Sequence, residues 1–262
     1  MADAFRLDGK TVVLTGAAGV IGTQVVLAFV EAGAKVCAID RNAALLKQQL
    51  GPEHGSLMHC PADVSSRDAL LKARKKLESK WGPADALLNN AVARSRNYFQ
   101  PFESFDVQEW NEVLAVNLTG AMLTAQVFGA PMADRGRGSI VNALSIYGMV
   151  GPDQRIYEGS MHLGQQLNSP AVYGASKAGL WGLTRYLATY WGHRGVRVNA
   201  VSVGAVSSGQ GEQFAQNYTR QVPLGRLAEA GDVAAAMRYL ASDASQYVTG
   251  HNLVVDGGRT AW

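Results

Sequence analysis

A chain of 262 residues that is 47% hydrophobic and only 17% charged has the composition of one large folded domain with a substantial core. Its 24 basic and 21 acidic side chains leave a net charge of +3 without a run of like charge, which argues against nucleic acid as a main partner. The start at Met1-Ala-Asp-Ala-Phe lacks the apolar segment of a secretory leader, and no apolar run approaches a membrane span, so the expectation is a cytoplasmic protein without a membrane partner.

From the N-terminus, the β-branched run Val12-Val-Leu predicts a short buried strand. Thr15-Gly-Ala-Ala-Gly-Val-Ile-Gly follows at once and leads into a helical stretch over 20–32, where Gly33 is placed as a left-handed cap. Val36-Cys-Ala-Ile predicts a second strand ending at Asp40, a helix covers 42–49, and Ser56-Leu-Met is a third strand with Asp63 just beyond it. Helices over 66–80, 106–134, 172–192 and 229–241 then alternate with strands at Ala86-Leu-Leu, Ser139-Ile-Val, Val196-Arg-Val and Asn252-Leu-Val-Val. Strand and helix in strict alternation imply a parallel sheet covered on both faces, here a single doubly wound α/β Rossmann domain with seven strands. Cys37 and Cys60 stand three residues before Asp40 and Asp63, so neighbouring strands would set the thiols side by side. They are expected as buried free thiols rather than a disulfide.

Glycines at 16, 19 and 22, after a strand and opening a helix, let backbone amides approach a pyrophosphate at the helix's positive end. Glycines also serve tight strand-to-helix packing, so the trio gains weight from Asp40, an acid closing the second strand. A carboxylate there accepts hydrogen bonds from both ribose hydroxyls and repels a 2'-phosphate, which points to NAD rather than NADP; Arg41, next in sequence, is the residue that could pair with a phosphate. Asp63 suits the adenine amino group, or equally a helix N-terminal turn before Ser65 and Ser66.

Lys177 is the only lysine after Lys80; arginine supplies every other fixed cation in that region. It stands four residues after Tyr173, on one face of a predicted helix, where a compact ammonium can tune a phenol in a way a guanidinium cannot. Composition bias with a chance spacing is the alternative, and the rest of the chain decides between them.

With the glycine turn, Asn89-Asn-Ala, Val116-Asn-Leu, Ile140-Val-Asn-Ala-Leu-Ser and Tyr173-x-x-x-Lys in this order, the chain resembles the short-chain dehydrogenase/reductase family along essentially its whole length, to Val254-Val-Asp-Gly-Gly. The resemblance implies an NAD-dependent oxidoreductase that interconverts a secondary alcohol and a ketone. Tyr173 would be the general acid or base, Lys177 would lower its pKa and bind the nicotinamide ribose, Ser145 would hold the reacting oxygen, and Asn117 would position a water in the proton path. It also implies cofactor contacts from Gly16, Gly19, Val20, Ile21, Gly22, Asp40, Asp63, Val64, Asn90, Ala91, Val206 and Ser208, and a homotetramer built on the 106–134 and 172–192 helices. Two other readings are a sugar epimerase or dehydratase using the same Tyr and Lys, and a non-catalytic NAD-binding regulator.

Three positions depart from the family pattern: Val92 stands where glycine is usual, Val203 where proline is usual, and Ser208 where threonine is common. The segment from Ser145 to Tyr173 is roughly fifteen residues longer than in relatives. This insert falls within Gly151 to Pro170 and carries Asp153, Arg155, Tyr157, Glu158 and His162, which suits a polyhydroxylated ligand or a contact between copies. Arg94, Arg96 and Arg155 would favour an anionic small-molecule substrate such as a sugar acid or nucleotide sugar. The insert, with Ile156-Tyr-Glu and the terminal Thr-Ala-Trp, is similar to a subgroup associated with bacterial surface-sugar and flagellin-sugar modification.

Overall fold

The structure, a computed structural model, describes residues 4–162 and 164–262. The expectation for the first three residues, and for the insert at Leu163 and at the side chain of His162, lies outside the described residues.

Strands β1 (Thr11–Thr15), β2 (Lys35–Asp40), β3 (Leu57–Pro61), β4 (Ala86–Asn89), β5 (Gly138–Ser145), β8 (Val196–Val203) and β9 (Asn252–Val255) form one seven-stranded sheet in the order β3-β2-β1-β4-β5-β8-β9. Every pairing in it is parallel, from Thr15 beside Ile39 to Ser145 beside Val203, so all carboxyl ends lie along one edge. The chain winds outward from β1 to β3 and then returns to β4. This reversal leaves a crevice at the carboxyl ends of β1 and β4, where ligands of such sheets bind. The remaining pair, β6 (Met161–His162) and β7 (Gln165–Gln166), is an antiparallel hairpin in the insert.

Side chains alternate along each strand, and both faces are apolar because both are covered. Val12, Leu14, Val36 and Ala38 pack with helices α1 (Val20–Glu31) and α7 (Ala230–Ala241). Val13, Cys37, Ile39, Leu87 and Ile140 point the other way, against α3 (Arg67–Trp81), α4 (Val107–Asp134) and α5 (Ala171–Gly192). Cys37 and Cys60 are buried free thiols with sulfurs 3.3 Å apart on this second face, as the neighbouring-strand argument expects. Asn42, Ser66 and Asp106 each use a side-chain oxygen to accept a first-turn amide at the starts of α2 (Ala43–Leu50), α3 and α4.

Three features were not anticipated. Helix α6 (Glu212–Thr219) forms because Phe214 and Tyr218, four apart, bury one flank against Ile156 and Val222. Helix α4 contains two π-helical stretches, Ala115–Gly120 and Ala125–Gly129, the first of which carries Asn117. Among the described residues α4 is also long and apolar enough to cross a membrane by length and composition, which corrects the reading that no segment approaches a span. Here half of its apolar stretch is buried against the protein.

A chain of buried polar groups clamps the two long helices to the sheet. The Thr124 hydroxyl donates to Asn89 Oδ1 at 2.6 Å, Asn89 Nδ2 donates to Asn142 Oδ1 at 2.9 Å, and Asn142 Nδ2 donates to Thr184 Oγ1 at 2.8 Å. All four residues are buried, so removing one member strands its neighbours away from water. Asn142→Ala is expected to lower unfolding stability by about 2–4 kcal/mol, seen in urea as a lower midpoint with an unchanged slope. A midpoint equal to wild type would mean the chain contributes nothing.

Candidate active site

The first half of the site is built by the β1 turn. Gly16 adopts φ +66°, and a Cβ on it would come within 2.8 Å of the Ala91 backbone. A Cβ on Gly22 would lie 2.1 Å from the Gly16 carbonyl oxygen, so this glycine lets α1 pack onto the turn. Gly19 has room for a side chain, and it begins α1 without any side-chain cap, so the first-turn amides have no side-chain acceptor at Gly19. Uncapped amides at the positive end of a twelve-residue helix fit a pyrophosphate. Val20 is exposed beside this turn, and Ile21 borders the large cleft described below.

Asp40 is tied into the same turn, accepting from the Ala18 amide at 3.2 Å and the Asn42 amide at 3.0 Å. Asp63 accepts from the Ser65 amide at 2.8 Å and the Ser65 hydroxyl at 2.6 Å, a bond that holds its carboxyl below the usual range. The cap of α3 is Ser66 instead. Val64 is buried against Gly120 of α4. Asn90 is a brace: its amide nitrogen Nδ2 donates to the carbonyls of Thr15 and Gly16, while its backbone and that of Ala91 donate to the Thr15 hydroxyl. Val206 pairs as a bridge with Ala228, and the Ser208 amide donates to Gln210 Oε1 at 2.8 Å in the loop after β8.

The second half gathers at the end of β5. Tyr173, in the first turn of α5, lines the same cleft as Ser145, whose hydroxyl lowers the phenol's pKa. Burial raises the Tyr173 phenol above its ordinary value, opposed by that hydroxyl and by the positive charge of Arg94. Lys177 is buried, and its ammonium donates to the Ala143 carbonyl at 2.7 Å while lying 5.7 Å from the centre of the Tyr173 ring. Burial alone brings Lys177 down from 10.5 to about 8. The expected pairing of ammonium with phenol is thus a placement over the ring, with the direct bond going to the strand. Asn117 has its side chain engaged on both sides: Oδ1 accepts from the Ala93 amide at 2.8 Å, and Nδ2 donates to Ser176 Oγ at 3.1 Å. Ser176 in turn donates to the Tyr173 carbonyl at 2.8 Å, which locks the turn bearing the phenol.

Both halves open into one cleft of about 570 Å³, bordered by Asn90, Ser145, Tyr173, Lys177, Val206 and Ser208. The insert forms its far wall. Ile156 anchors the insert by burial with Phe214, Tyr218 and Val222, and Tyr157 stacks on Phe214 with ring centres 5.5 Å apart. Asn168 pins the other end, its Nδ2 donating to the Phe99 carbonyl at 2.6 Å. A second hollow of about 520 Å³, between the insert and the Phe102–Trp110 region, shares Tyr157, Leu167, Asn168 and Ser169 with the cleft. Only a thin wall separates the two.

Of the three candidate substrate arginines, Arg94 borders the cleft, whereas Arg96 is exposed beside it. Arg155 forks onto Asp153 at 2.8 and 2.9 Å and does not border the cleft. Val92 is exposed, Val203 ends β8 beside Val255, and both border the cleft. The sequence reading missed the aromatic lining. Tyr98, Tyr147 and Tyr218 all border the cleft, and the Tyr157 hydroxyl donates to that of Tyr147 at 3.2 Å. Tyr147 lies two residues after Ser145, and that proximity is the one signal that could have found it.

Comparison with known proteins bears on the fold and the family. A protein-family model described as Enoyl-(Acyl carrier protein) reductase matches residues 16–260. The D-threitol dehydrogenase of Mycolicibacterium smegmatis is 36% identical, over 98% of this chain and 95% of that protein. The crystal structure of a short chain dehydrogenase from Leptospira borgpetersenii with bound NAD+ superposes with a TM-score of 0.86 at 34% identity, covering 98% of this chain and 95% of that one. A gluconate 5-dehydrogenase from Burkholderia cenocepacia, solved with NADP and tartrate, has a TM-score of 0.85 at 29% identity and covers 99% of this chain and 98% of its own.

The buried Lys177 carries a stability cost with a definite pH sign. A base whose folded pKa sits near 8 against 10.5 unfolded destabilises the fold fully below 8, and the cost fades as pH rises toward 10.5. Lys177→Met is therefore expected to stabilise the protein near neutral pH by about 1–2 kcal/mol, after allowing for the lost bond to Ala143, with the gain vanishing at alkaline pH. Thermal unfolding across the pH range reads this directly; a variant less stable than wild type at neutral pH contradicts it.

Proposed function

Because the chain belongs to the short-chain dehydrogenase/reductase family and is an oxidoreductase acting on CH–OH donors, we propose that it interconverts a secondary alcohol and a ketone on a small polyhydroxylated substrate with NAD as hydride carrier. The observation that carries the reading is the convergence on one cleft of Ser145, Tyr173 and Lys177 with Ile21 and Asn90, which flank the glycine turn. The nicotinamide, when bound, supplies the hydride acceptor or donor.

The chain's own residues account for the rest. Ser145 is suited to hold the reacting oxygen, because its hydroxyl shares the cleft with the phenol that must exchange a proton with that oxygen and acts on its pKa. Tyr173 takes the hydroxyl proton in oxidation and returns it in reduction. Lys177 keeps a positive charge over the phenol ring and faces the cleft where the nicotinamide ribose would lie. Asn117 acts as a positioning residue, through Ser176 and Ala93. Polyol and sugar-acid dehydrogenases among the relatives support a linear, hydroxylated substrate.

NAD is favoured over NADP by Asp40, whose carboxylate stands at the end of β2 beside the glycine turn. Arg41, exposed next to Asp40, is the nearby group that would counter it. Turnover with NADH is expected to exceed turnover with NADPH by at least about tenfold in kcat/KM, and Asp40→Ala should narrow the gap. Equal use of the two cofactors by the wild type would sink the preference.

Tyr173→Phe tests the chemistry itself. Its turnover should fall by about a thousandfold or more, while NADH still binds with near wild-type affinity by fluorescence. Retained turnover would overturn the assignment of the proton to Tyr173.

A further inference from the structure

Arg94 is set apart by its place. Like its neighbour Arg96 it makes no ion pair among the described residues, whereas Arg155 in the insert is held by Asp153 at 2.8 Å, and of the three only Arg94 lines the cleft. It projects from the loop after β4 and borders the cleft that contains Tyr173. Among the described residues that line that cleft, Arg94 and the buried Lys177 are the only charged side chains, and no aspartate or glutamate is present. The remaining polar lining is neutral, chiefly phenols and amides such as Tyr98, Tyr147, Asn168 and Gln210. Its charge is already felt by the phenols of Tyr98 and Tyr173, both of which it pulls down against the larger upward effect of burial. An unpaired guanidinium over a carboxylate-free, half-enclosed cleft is a site for one planar anion, which it can bind through two parallel N–H donors.

We propose that Arg94 is the carboxylate anchor of the substrate, selecting open-chain sugar acids over neutral polyols of the same length. The inference rests on the oxidoreductase reading above and narrows it. In oxidation the reacting carbon gives its hydride to NAD and its hydroxyl proton to Tyr173, producing a keto acid, NADH and a proton. The carboxylate at the far end is unchanged and serves only to fix which hydroxyl meets Ser145. Arg155, occupied by Asp153, takes no part.

The test compares D-gluconate with its neutral counterpart D-glucitol, in wild type, Arg94→Gln and Arg94→Lys. Arg94 is exposed, so the variants keep the fold. The wild type should prefer the acid, and Arg94→Gln should reduce that preference by about ten- to a hundredfold, mainly through a raised KM, with Arg94→Lys recovering part of it. Gluconate binding to the protein–NADH complex, followed by NADH fluorescence, should weaken in parallel. A wild type that prefers glucitol, or a preference indifferent to residue 94, overturns the anchor and leaves the oxidoreductase reading intact. If no polyol or sugar acid is turned over but gluconate binding still depends on Arg94, the anchor stands and the proposed reaction falls. Loss of both turnover and Arg94-dependent binding overturns both.

Discussion

The carboxyl edge of the sheet depends on four buried amide and hydroxyl side chains that bond to one another between the sheet and two long helices. Thr124, Asn89, Asn142 and Thr184 run from α4 through β4 and β5 to α5, and none of them can shift without exposing an unpaired donor or acceptor to an apolar interior. That constraint fixes the axial position of α4 and α5 against β5. It therefore also fixes where Asn117, Tyr173 and Lys177 stand relative to Ser145. Apolar packing alone would tolerate a sliding helix, since Leu and Val contacts are not directional. A hydrogen-bonded asparagine is.

Lys177 and Tyr173 are placed at a cost in desolvation. Lys177 is held by the Ala143 carbonyl in a site that disfavours its charge, and Tyr173 lies where its phenolate is disfavoured as well. Two groups with opposite charge in their ionised forms, each made reluctant by the same apolar surroundings, are poised so that a further charge or dipole entering the cleft changes both together. Arg94 at the rim already acts in that way on Tyr173.

The sheet was legible in the sequence because its strands are buried on both faces and read as short β-branched runs between helices of clear period. All seven appear, and the six expected helices end within a residue or two of their expected limits, α6 being the one not foreseen. The site was legible where backbone geometry restricts the residue type, as at Gly16 and Gly22, and where chemistry does, as at Tyr173 and Lys177. What stayed hidden was whatever depends on distant partners. Nothing local to Asn117 says that its amide clamps Ala93 to Ser176. Arg155 is the opposite case, since its partner Asp153 stands only two residues away. The two π-helical stretches of α4 escape a periodicity argument by nature, because each shifts the phase on which the argument relies.

The insert that walls the cleft is anchored away from the reacting atoms, at Ile156 in the α6 cluster and at Asn168 on the Phe99 carbonyl. Between those anchors a single layer of side chains separates two hollows of similar size. Such a partition separates two kinds of evolutionary change. Residues facing the second hollow can shrink, grow or exchange polarity, lengthening or shortening the chamber, while Ser145, Tyr173, Lys177 and the glycine turn are left untouched. The size of the chamber is thus set on a part of the chain that the buried polar groups do not constrain.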